Sequence, residues 1–463
     1  MNIRENEPIF GAMARIREWN AAASAPRGVY IQTLGCQQNE ADSEKLRGMA
    51  EDMGYRSVDT PEEAELILIN TCAVREHAEL RALSLIGNCK RLREKNPNLI
   101  VGVCGCMTAR EKRVEQLKHG YPYVSFTLEP AALHKMPLVL LRVLEEHRRR
   151  FLFGEDDGEV AEGVPIVRSL RHRAWVSIMY GCNNFCTYCI GPYTRGRERS
   201  RASADIVREV EELVAGGCRD ITLLGQNVNS YKSDCDFAGL VERLSMIKGD
   251  FLLRFMTSHP KDVSDRLIRV MAEHPEHMAP HFHLPLQSGS DRILKKMNRR
   301  YTTAAYLATV EKLRAAMPHI ALTSDIIVGF PGETEEDFEA TCEMLRRVRF
   351  DMIYSFLYSP REGTPAAEME DRIDDATRAA RFEKLLALAN ELALEANKPH
   401  ENTLQRVLVD SVSKNSKDTY SGRTASGKLV HFCGSPEDVG EFRYVRIERA
   451  DPYALHGTLE NEK

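Results

Sequence analysis

Residues 181–189 read GCNNFCTYC, and the spacing of these cysteines decides how the middle of the chain is read. Cys182, Cys186 and Cys189 form C-x3-C-x2-C and put three thiolates on one short loop. A zinc site asks for a fourth ligand, and no histidine or cysteine follows at finger spacing. Three thiolates suit instead a [4Fe–4S] cluster whose fourth iron stays open to another ligand. The competing reading, three thiols buried for packing, does not account for that spacing.

The chain around this loop has 463 residues, enough for two or three domains with substantial cores. Its composition, 43% hydrophobic and 28% charged with a formal net charge of −5, is ordinary for a globular protein. That balance argues against a surface covered in nonspecific nucleic-acid-binding charge, while leaving room for a local basic site. The first 27 residues mix acidic and basic side chains without an apolar core, unlike a signal peptide. No run of about 18 apolar residues occurs, so a cytoplasmic protein without a membrane span is expected. In such a chain the twelve cysteines read as metal ligands in preference to disulfides.

Outward from the loop the chain divides into three regions. Apolar runs at 29–34, 65–70 and 99–104 alternate with helical periodicity at 41–54, 74–93 and 109–118. This predicts an open α/β domain with a parallel sheet over 29–145. A connector with the charged stretches EEHRRR (145–150) and GEDDGEVAEG (154–163) occupies 146–169. From 170 to 398, six strand candidates alternate with helices at 203–215, 237–247, 263–273, 290–297, 302–316 and 335–347, followed by a long Ala/Leu/Glu-rich helix over 371–398. Six strand–helix steps predict a partial (β/α)6 barrel, with sites at the C-terminal ends of its strands. From 400 to 463, short alternating pieces separated by Gly, Ser and Asn predict a small β-barrel of oligonucleotide-binding type. Its nine basic residues oppose ten acidic ones from 401 onward, so bulk charge gives it no nucleic-acid signature.

A second cysteine set lies in the first region. Cys36, Cys72 and Cys106 each follow a strand candidate, and parallel strands would bring them to one edge of the sheet. Cys104 competes with Cys106 as the third ligand. Cys104 ends an apolar run and faces the core on that ground, whereas Cys106 lies past Gly105 and is freer to point out. Cys89, Cys218, Cys235, Cys342 and Cys433 have no spacing that recommends them.

Taken together, TLGCQQNEADSEKLRG (33–48), NTCAVRE (70–76), VGVCGCM (101–107), YGCNNFCTYCIGPYTRGRERSR (180–201) and SGRT (421–424) resemble the methylthiotransferase family of radical S-adenosylmethionine (SAM) enzymes. The resemblance runs from about residue 29 to the end. It implies an N-terminal methylthiotransferase domain, a radical SAM partial barrel and a C-terminal TRAM domain. It makes Cys36, Cys72 and Cys106 ligands of an auxiliary [4Fe–4S] cluster, and Cys182, Cys186 and Cys189 ligands of the cluster that binds SAM. The implied reaction puts a methylthio group on carbon 2 of an adenine, a C–H that no general base removes at neutral pH. One SAM would methylate sulfur at the auxiliary cluster and a second would yield the 5′-deoxyadenosyl radical. PYTRGRERSR favours the branch acting on N6-dimethylallyladenosine at position 37 of tRNA. Relatives acting on N6-threonylcarbamoyladenosine in tRNA or on an aspartate of ribosomal protein S12 share the architecture. A non-enzymatic iron–sulfur RNA-binding protein would not need the open iron.

Strand-end logic supplies further candidates. Tyr188, Gly225, Gln226, Asn227, Ser258, Gln287, Ser324 and Asp325 are expected around SAM, with the glycine allowing close backbone approach. GFPGET (329–334) lacks the lysine of a phosphate loop and reads as a turn before a helix. Arg195, Arg197, Arg199 and Arg201, then Lys295 and Lys296 with Arg299 and Arg300, read as basic patches for RNA. Tyr420, Arg423 and Lys428 are the candidates on the C-terminal barrel. The expected partners are a tRNA anticodon stem-loop, an electron donor such as flavodoxin or ferredoxin, and proteins supplying sulfur and iron–sulfur clusters. A monomer is expected.

Overall fold

The computed structural model describes residues 6–73, 76–154, 158–413 and 418–460, so positions 74–75 of the expected 74–93 helix and 155–157 of the connector lie outside it. The chain forms two compact units, the first comprising 1–169, 179–183 and 189–201 and the second the remainder.

In the first unit the elements run α1 (Glu7–Ala21), β1 (Gly28–Thr33), α2 (Gln37–Asp52), β2 (Arg56–Ser57), β3 (Leu66–Thr71), α3 (Glu76–Lys95), β4 (Ile100–Gly105), α4 (Glu111–Gly120), β5 (Phe126–Leu128), α5 (Met136–Glu146) and β6 (Arg150–Phe151). The strands form one parallel sheet in the order β2-β1-β3-β4-β5-β6. Strand periodicity sends Leu66, Leu68, Ile100 and Cys104 to one face, where they meet α1, α2 and α5. Ile67, Ile69, Val101 and Val103 face the other way, against α3 and α4. Both faces being covered, β3 and β4 are buried throughout and read as continuous apolar runs.

Two boundaries differ from expectation. Residues ahead of 29 form α1, capped by Asn6, whose side chain accepts from the Ile9 amide, and Ile9, Met13 and Ile16 enter the core at helical spacing. Four apolar positions, Ile9, Ala12, Met13 and Ile16, carry that stripe in a charged stretch, a weak signal in the sequence. The EEHRRR stretch likewise ends in β6, which pairs with β5 instead of serving purely as a linker.

The chain enters the second unit at β7 (Arg173–Ser177), then returns to the first as β8 (Met179–Tyr180), α6 (Gly191–Arg195) and β9 (Arg199–Ser200), with β8 and β9 antiparallel. The second unit continues with α7 (Ser203–Ala215), β10 (Asp220–Leu224), α8 (Phe237–Ser245), β11 (Leu252–Phe255), α9 (Asp265–Glu273), β12 (His281–His283), α10 (Asp291–Lys296), α11 (Thr303–Ala316), β13 (Ala321–Val328), α12 (Glu335–Val348), β14 (Met352–Leu357) and α13 (Asp375–Asn397). The six strands run parallel in two sheets, β7-β10-β11 and β12-β13-β14, with a bridge from Leu253 to Met278 after β11. These are the strand–helix steps of the partial barrel, and all their C-terminal ends share one rim. GFPGET forms the turn into α12, which opens with a capping box between Thr334 and Asp337. Then β15 (Leu404–Val412), β16 (Thr419–Thr424), β17 (Leu429–Cys433), β18 (Phe442–Ala450) and β19 (Leu455–Glu460) close into a five-stranded barrel. Among the described residues no helix is long and apolar enough to cross a membrane.

One backbone position links fold and site. Gly105 ends β4 with φ 95° and ψ −166°, a conformation that essentially only glycine adopts, and a Cβ there would overlap the Thr71 carbonyl and the Asn70 side chain. Gly105→Ala is expected to cost about 3 kcal/mol. Denaturant unfolding would report the cost, and iron analysis the displacement of Cys106.

Candidate functional site

The first unit brings Cys36, Cys72 and Cys106 to one sheet edge, because β1, β3 and β4 are neighbours running in the same direction. Cys36 is exposed at the N-cap of α2, and Cys72 and Cys106 are buried directly after β3 and β4. The Cys36 turn crosses closely over Cys72: a Cβ on Gly35, whose φ is 131°, would lie 2.8 Å from the Cys72 Cβ. Beneath the thiols runs a polar network. Asn39 donates to the Thr71 carbonyl (2.8 Å), and its Oδ1 accepts from the Cys36 thiol (3.4 Å) and from Arg195 Nη2 (3.0 Å). Arg195 also pairs with Asp42 at 2.8 Å, both side chains buried. Burial raises the Cys106 thiol above its ordinary pKa, the Arg195 guanidinium opposes this, and the Cys72 and Cys36 thiols reinforce it.

Cys104 is placed elsewhere. Strand alternation turns it into the core with Leu66 and Leu68, its thiol reaches the Ile69 carbonyl at 3.6 Å, and burial raises its pKa far above the usual range.

Among the described residues, no three Cys, His, Asp or Glu side chains converge closely enough for a single metal ion. A [4Fe–4S] cluster makes a different demand, since each thiolate binds a different iron at a corner of the cube. Three thiols on neighbouring strand ends with a buried cation beside them fit that donor set.

The 181–189 loop has irregular backbone immediately before its first and second cysteines. Gly181 has φ 73°, and a Cβ there would overlap the Arg197 carbonyl. Phe185, ahead of Cys186, has φ 48°. The Gly191 amide donates to Cys189 Sγ at 3.3 Å, and Ile190 packs on Ala73 and Cys106. In the second unit Cys186 Sγ accepts from Arg299 at 3.5 Å.

Along the rim of the partial barrel, successive strand ends carry buried side-chain oxygens with no partner among the described residues: Gln226 Oε1 and Asn227 Oδ1 after β10, Ser258 Oγ after β11 and Gln287 Oε1 after β12. Buried polar atoms are ordinarily paired, so such a row fits a polar ligand. Thr257 and Gln287 have φ 63° and 70°, and strained backbone of this kind collects at sites. These oxygens suit groups that donate, such as the amino group and ribose hydroxyls of SAM, and the Ser258 hydroxyl can also donate. Asp325 is half-buried, 3.6 Å from His283 Nε2. Gly225 accepts from the Thr257 hydroxyl through its carbonyl, and Tyr188 packs against the Ile293, Met297 and Phe330 cluster. Ser324 departs from expectation: fully buried, it spends its hydroxyl on the Leu286 amide at 2.9 Å.

His259 lies on the same rim, in the strand end at 257–259. Burial, then the charges of Arg299, Lys261 and Arg300, lower its pKa from 6.5 to about 2. Below pH 6.5 the unfolded chain binds a proton that the folded chain refuses, so this stability is complete above 6.5 and is lost as pH falls toward 2. Moving from pH 7 to 5 is expected to cost about 2 kcal/mol through this group. Denaturant unfolding of wild type and His259→Gln at both pH values checks it, the variant lacking that component.

The RNA candidates divide. Arg197, Lys295, Arg300 and Arg423 are exposed, Arg199 is half-buried, and Lys296 is partly buried and paired with Asp371 at 3.2 Å. Five others turn inward. Arg195 is bound to Asp42 and Asn39, and Arg201 grips Glu162 through Nε (2.6 Å) and Nη2 (2.8 Å). Arg299 is buried beside Cys186. Tyr420 fills the core of the five-stranded barrel. Lys428 is held by Asp351 (2.7 Å) and Asn397 (2.9 Å). A cation turned inward onto a carboxylate or a cysteine is not presented to a phosphate. Charge and position along the chain cannot separate the two kinds, because burial is set by residues distant in sequence. Lys428→Met is therefore expected to lower stability by about 2 kcal/mol and leave tRNA affinity unchanged. Arg197→Ala should weaken binding and reduce its salt slope by about one, as filter-binding at several salt concentrations would show.

Three family models match separate stretches of the chain. Residues 28–129 match the Uncharacterized protein family UPF0004, 176–345 the Radical SAM superfamily and 400–459 the TRAM domain. Similar full-length proteins include the tRNA-2-methylthio-N(6)-dimethylallyladenosine synthases of three bacteria. That of Thermoanaerobacter pseudethanolicus is 47% identical over 93% of this chain and 92% of its own. That of Carboxydothermus hydrogenoformans is 46% identical over 94% and 100%. That of Alkaliphilus oremlandii is 48% identical over 93% and 92%. Among solved structures, the radical S-adenosylmethionine methyltransferase TsrM from Kitasatospora setae, with tryptophan substrate and a SAM analog bound, aligns with TM-score 0.55 at 14% identity over 80% of this chain and 89% of that one, a likeness of fold alone.

Proposed function

This chain belongs to the methylthiotransferase family of radical SAM enzymes, and from that membership we infer that it converts N6-dimethylallyladenosine at position 37 of tRNA to its 2-methylthio derivative. The observation that carries the reading is the pair of cysteine sets, one on three parallel strand ends and one on the C-x3-C-x2-C loop, in a chain 46% to 48% identical to three such synthases. Cys36, Cys72 and Cys106 would hold an auxiliary [4Fe–4S] cluster, and Cys182, Cys186 and Cys189 the cluster that binds SAM.

When bound, these clusters and two molecules of SAM supply the electron, the radical chemistry, the methyl group and the sulfur that an unreactive aromatic C–H demands. The protein's part is to hold and orient. Gln226, Asn227, Ser258 and Gln287 offer their unpartnered oxygens to the polar groups of SAM, with Asp325 nearby. Asn39, Asp42 and Arg195 would keep the auxiliary thiols in register. No acid–base pair is assigned, since the adenine C2 proton is not removed as a proton.

Exposed Arg197, Lys295 and Arg423 would meet phosphates of the anticodon stem-loop, whose unpaired base 37 reaches a site at little unpairing cost. The closed C-terminal barrel would add affinity and orientation. Electrons would come from a flavodoxin or ferredoxin, and sulfur and clusters from dedicated supply proteins. We place the enzyme in the cytoplasm with its tRNA, acting as a monomer. Anaerobically reconstituted protein incubated with SAM, a reductant and a stem-loop carrying dimethylallyladenosine at position 37 tests this by nucleoside mass spectrometry. A methylthio product is expected. SAM cleavage without that product would overturn the substrate, and neither product nor cleavage with both clusters present would overturn the reaction.

A further inference from the structure

The segment KMNRRY at 296–301 is charged enough to pass for a solvated patch, yet its central arginine is buried. Arg299 is 8% exposed and donates to Cys186 Sγ (3.5 Å), to the Pro285 carbonyl (2.9 Å) and, through Nε, to the Tyr301 hydroxyl (3.1 Å). Its guanidinium carbon also lies 5.1 Å from the centre of the Tyr301 ring. Among the described residues no carboxylate pairs with it. A guanidinium buried without a counter-charge is costly, so the negative partner has to come from the cysteine and whatever that cysteine holds.

The neighbours of Arg299 grip the same loop. Asn298, itself at φ 56°, donates its amide to the carbonyls of Asn184 (3.1 Å) and Phe185 (2.9 Å). Thr187 donates its hydroxyl to the Lys296 carbonyl (2.9 Å) and its amide to the Met297 carbonyl (3.1 Å). Five consecutive residues, 296–300, thus include four that clasp or approach 184–187, and Cys186 is fixed where the guanidinium reaches its sulfur.

We propose that Arg299 is a positioning residue that sets the reduction potential of the cluster bound through Cys186, an inference that rests on reading the C-x3-C-x2-C loop as a [4Fe–4S] site. Three thiolates around the oxidised core leave one net negative charge, and the single electron delivered by a carrier protein raises this to two. A fixed cation in a site of low dielectric favours the second state over the first, so it raises the potential. Hydrogen bonds to cluster sulfurs act in the same direction.

The test is a redox titration of the full-length, anaerobically reconstituted protein, following by electron paramagnetic resonance the signal that changes when SAM is added. That response separates this cluster from the auxiliary one. Arg299→Gln, which removes the charge, is expected to make reduction at least tenfold less favourable, or ~59 mV for a one-electron couple. Arg299→Lys should stay within threefold of wild type, and the auxiliary signal should not move in either variant. An unchanged potential in Arg299→Gln, or equal falls in both variants, would overturn the inference. If Arg299→Gln does not retain iron, Tyr301→Phe and Arg299→Lys decide: both keep the cation and should stay within threefold, and a tenfold fall in either overturns the role of charge. A wild-type protein with no SAM-responsive signal would mean instead that the cluster reading itself fails.

Discussion

Cys106→Ala protein is expected to retain about four iron atoms per chain where the wild type holds about eight, to cleave SAM still, and to form no methylthiolated nucleoside. Cys104→Ala should keep the full complement of iron and its product, losing only about 1–2 kcal/mol of stability from a small core cavity. The two thiols stand two positions apart, Cys104 within β4 and Cys106 just past its end, and differ in what surrounds them. Cys104 is packed with Leu66, Leu68 and Phe126, and its thiol is spent on the Ile69 carbonyl. Cys106 lies past Gly105, beside Cys72, Cys36 and Arg195. Iron and sulfide analysis with product mass spectrometry measures both effects. The reverse pattern, with iron lost from the Cys104 variant and kept in the Cys106 variant, would reassign the third ligand.

The second large effect is expected at Asp42. Its carboxylate is 4% exposed and pairs with Arg195, itself 6% exposed, at 2.8 Å. Asp42→Asn leaves a buried guanidinium with no counter-charge, and breaking a pair in this way costs about 3–5 kcal/mol. Asp42→Leu combined with Arg195→Met should recover most of that loss, because two apolar groups of similar volume remove both charges at once. Anaerobic denaturant unfolding of the single and double variants gives the coupling. A loss below about 1 kcal/mol in Asp42→Asn would return Arg195 to the set of residues available to RNA. The same double variant lacks the cation beside Cys106, so its auxiliary cluster should assemble less completely although the fold has recovered.

Much of this site was legible in one dimension because its signals are local. C-x3-C-x2-C needs no tertiary information, since chain connectivity alone keeps three thiols within one loop. Cys36, Cys72 and Cys106 were legible one step further: each follows an apolar run, and parallel strands carry such positions to a common edge. The six barrel strands and their helices were legible for the same reason, each strand being a short apolar run and each helix a periodic one. The row at Gln226, Asn227, Ser258 and Gln287 followed from strand ends, whereas Ser324 did not, because a hydroxyl at such an end can as easily cap a backbone amide. Helix α1 was not legible because four apolar positions in a charged stretch are a weak stripe.

What the sequence by itself determined was which atoms are available and in what order: two cysteine sets, alternating strands and helices, and a closing β-barrel, all properties of spacing along the chain. What only the tertiary structure decided was the fate of the charges. Arg195, Arg201, Arg299 and Lys428 look alike with Arg197 and Lys295 in a string of letters, yet the first three are buried and Lys428 half-buried, held by Asp42, Glu162, Cys186 and Asp351. Those partners lie far away along the chain, and the free energy of a charge depends on the dielectric and counter-charge around it. Both are set by the packing of distant segments, which periodicity and composition do not encode.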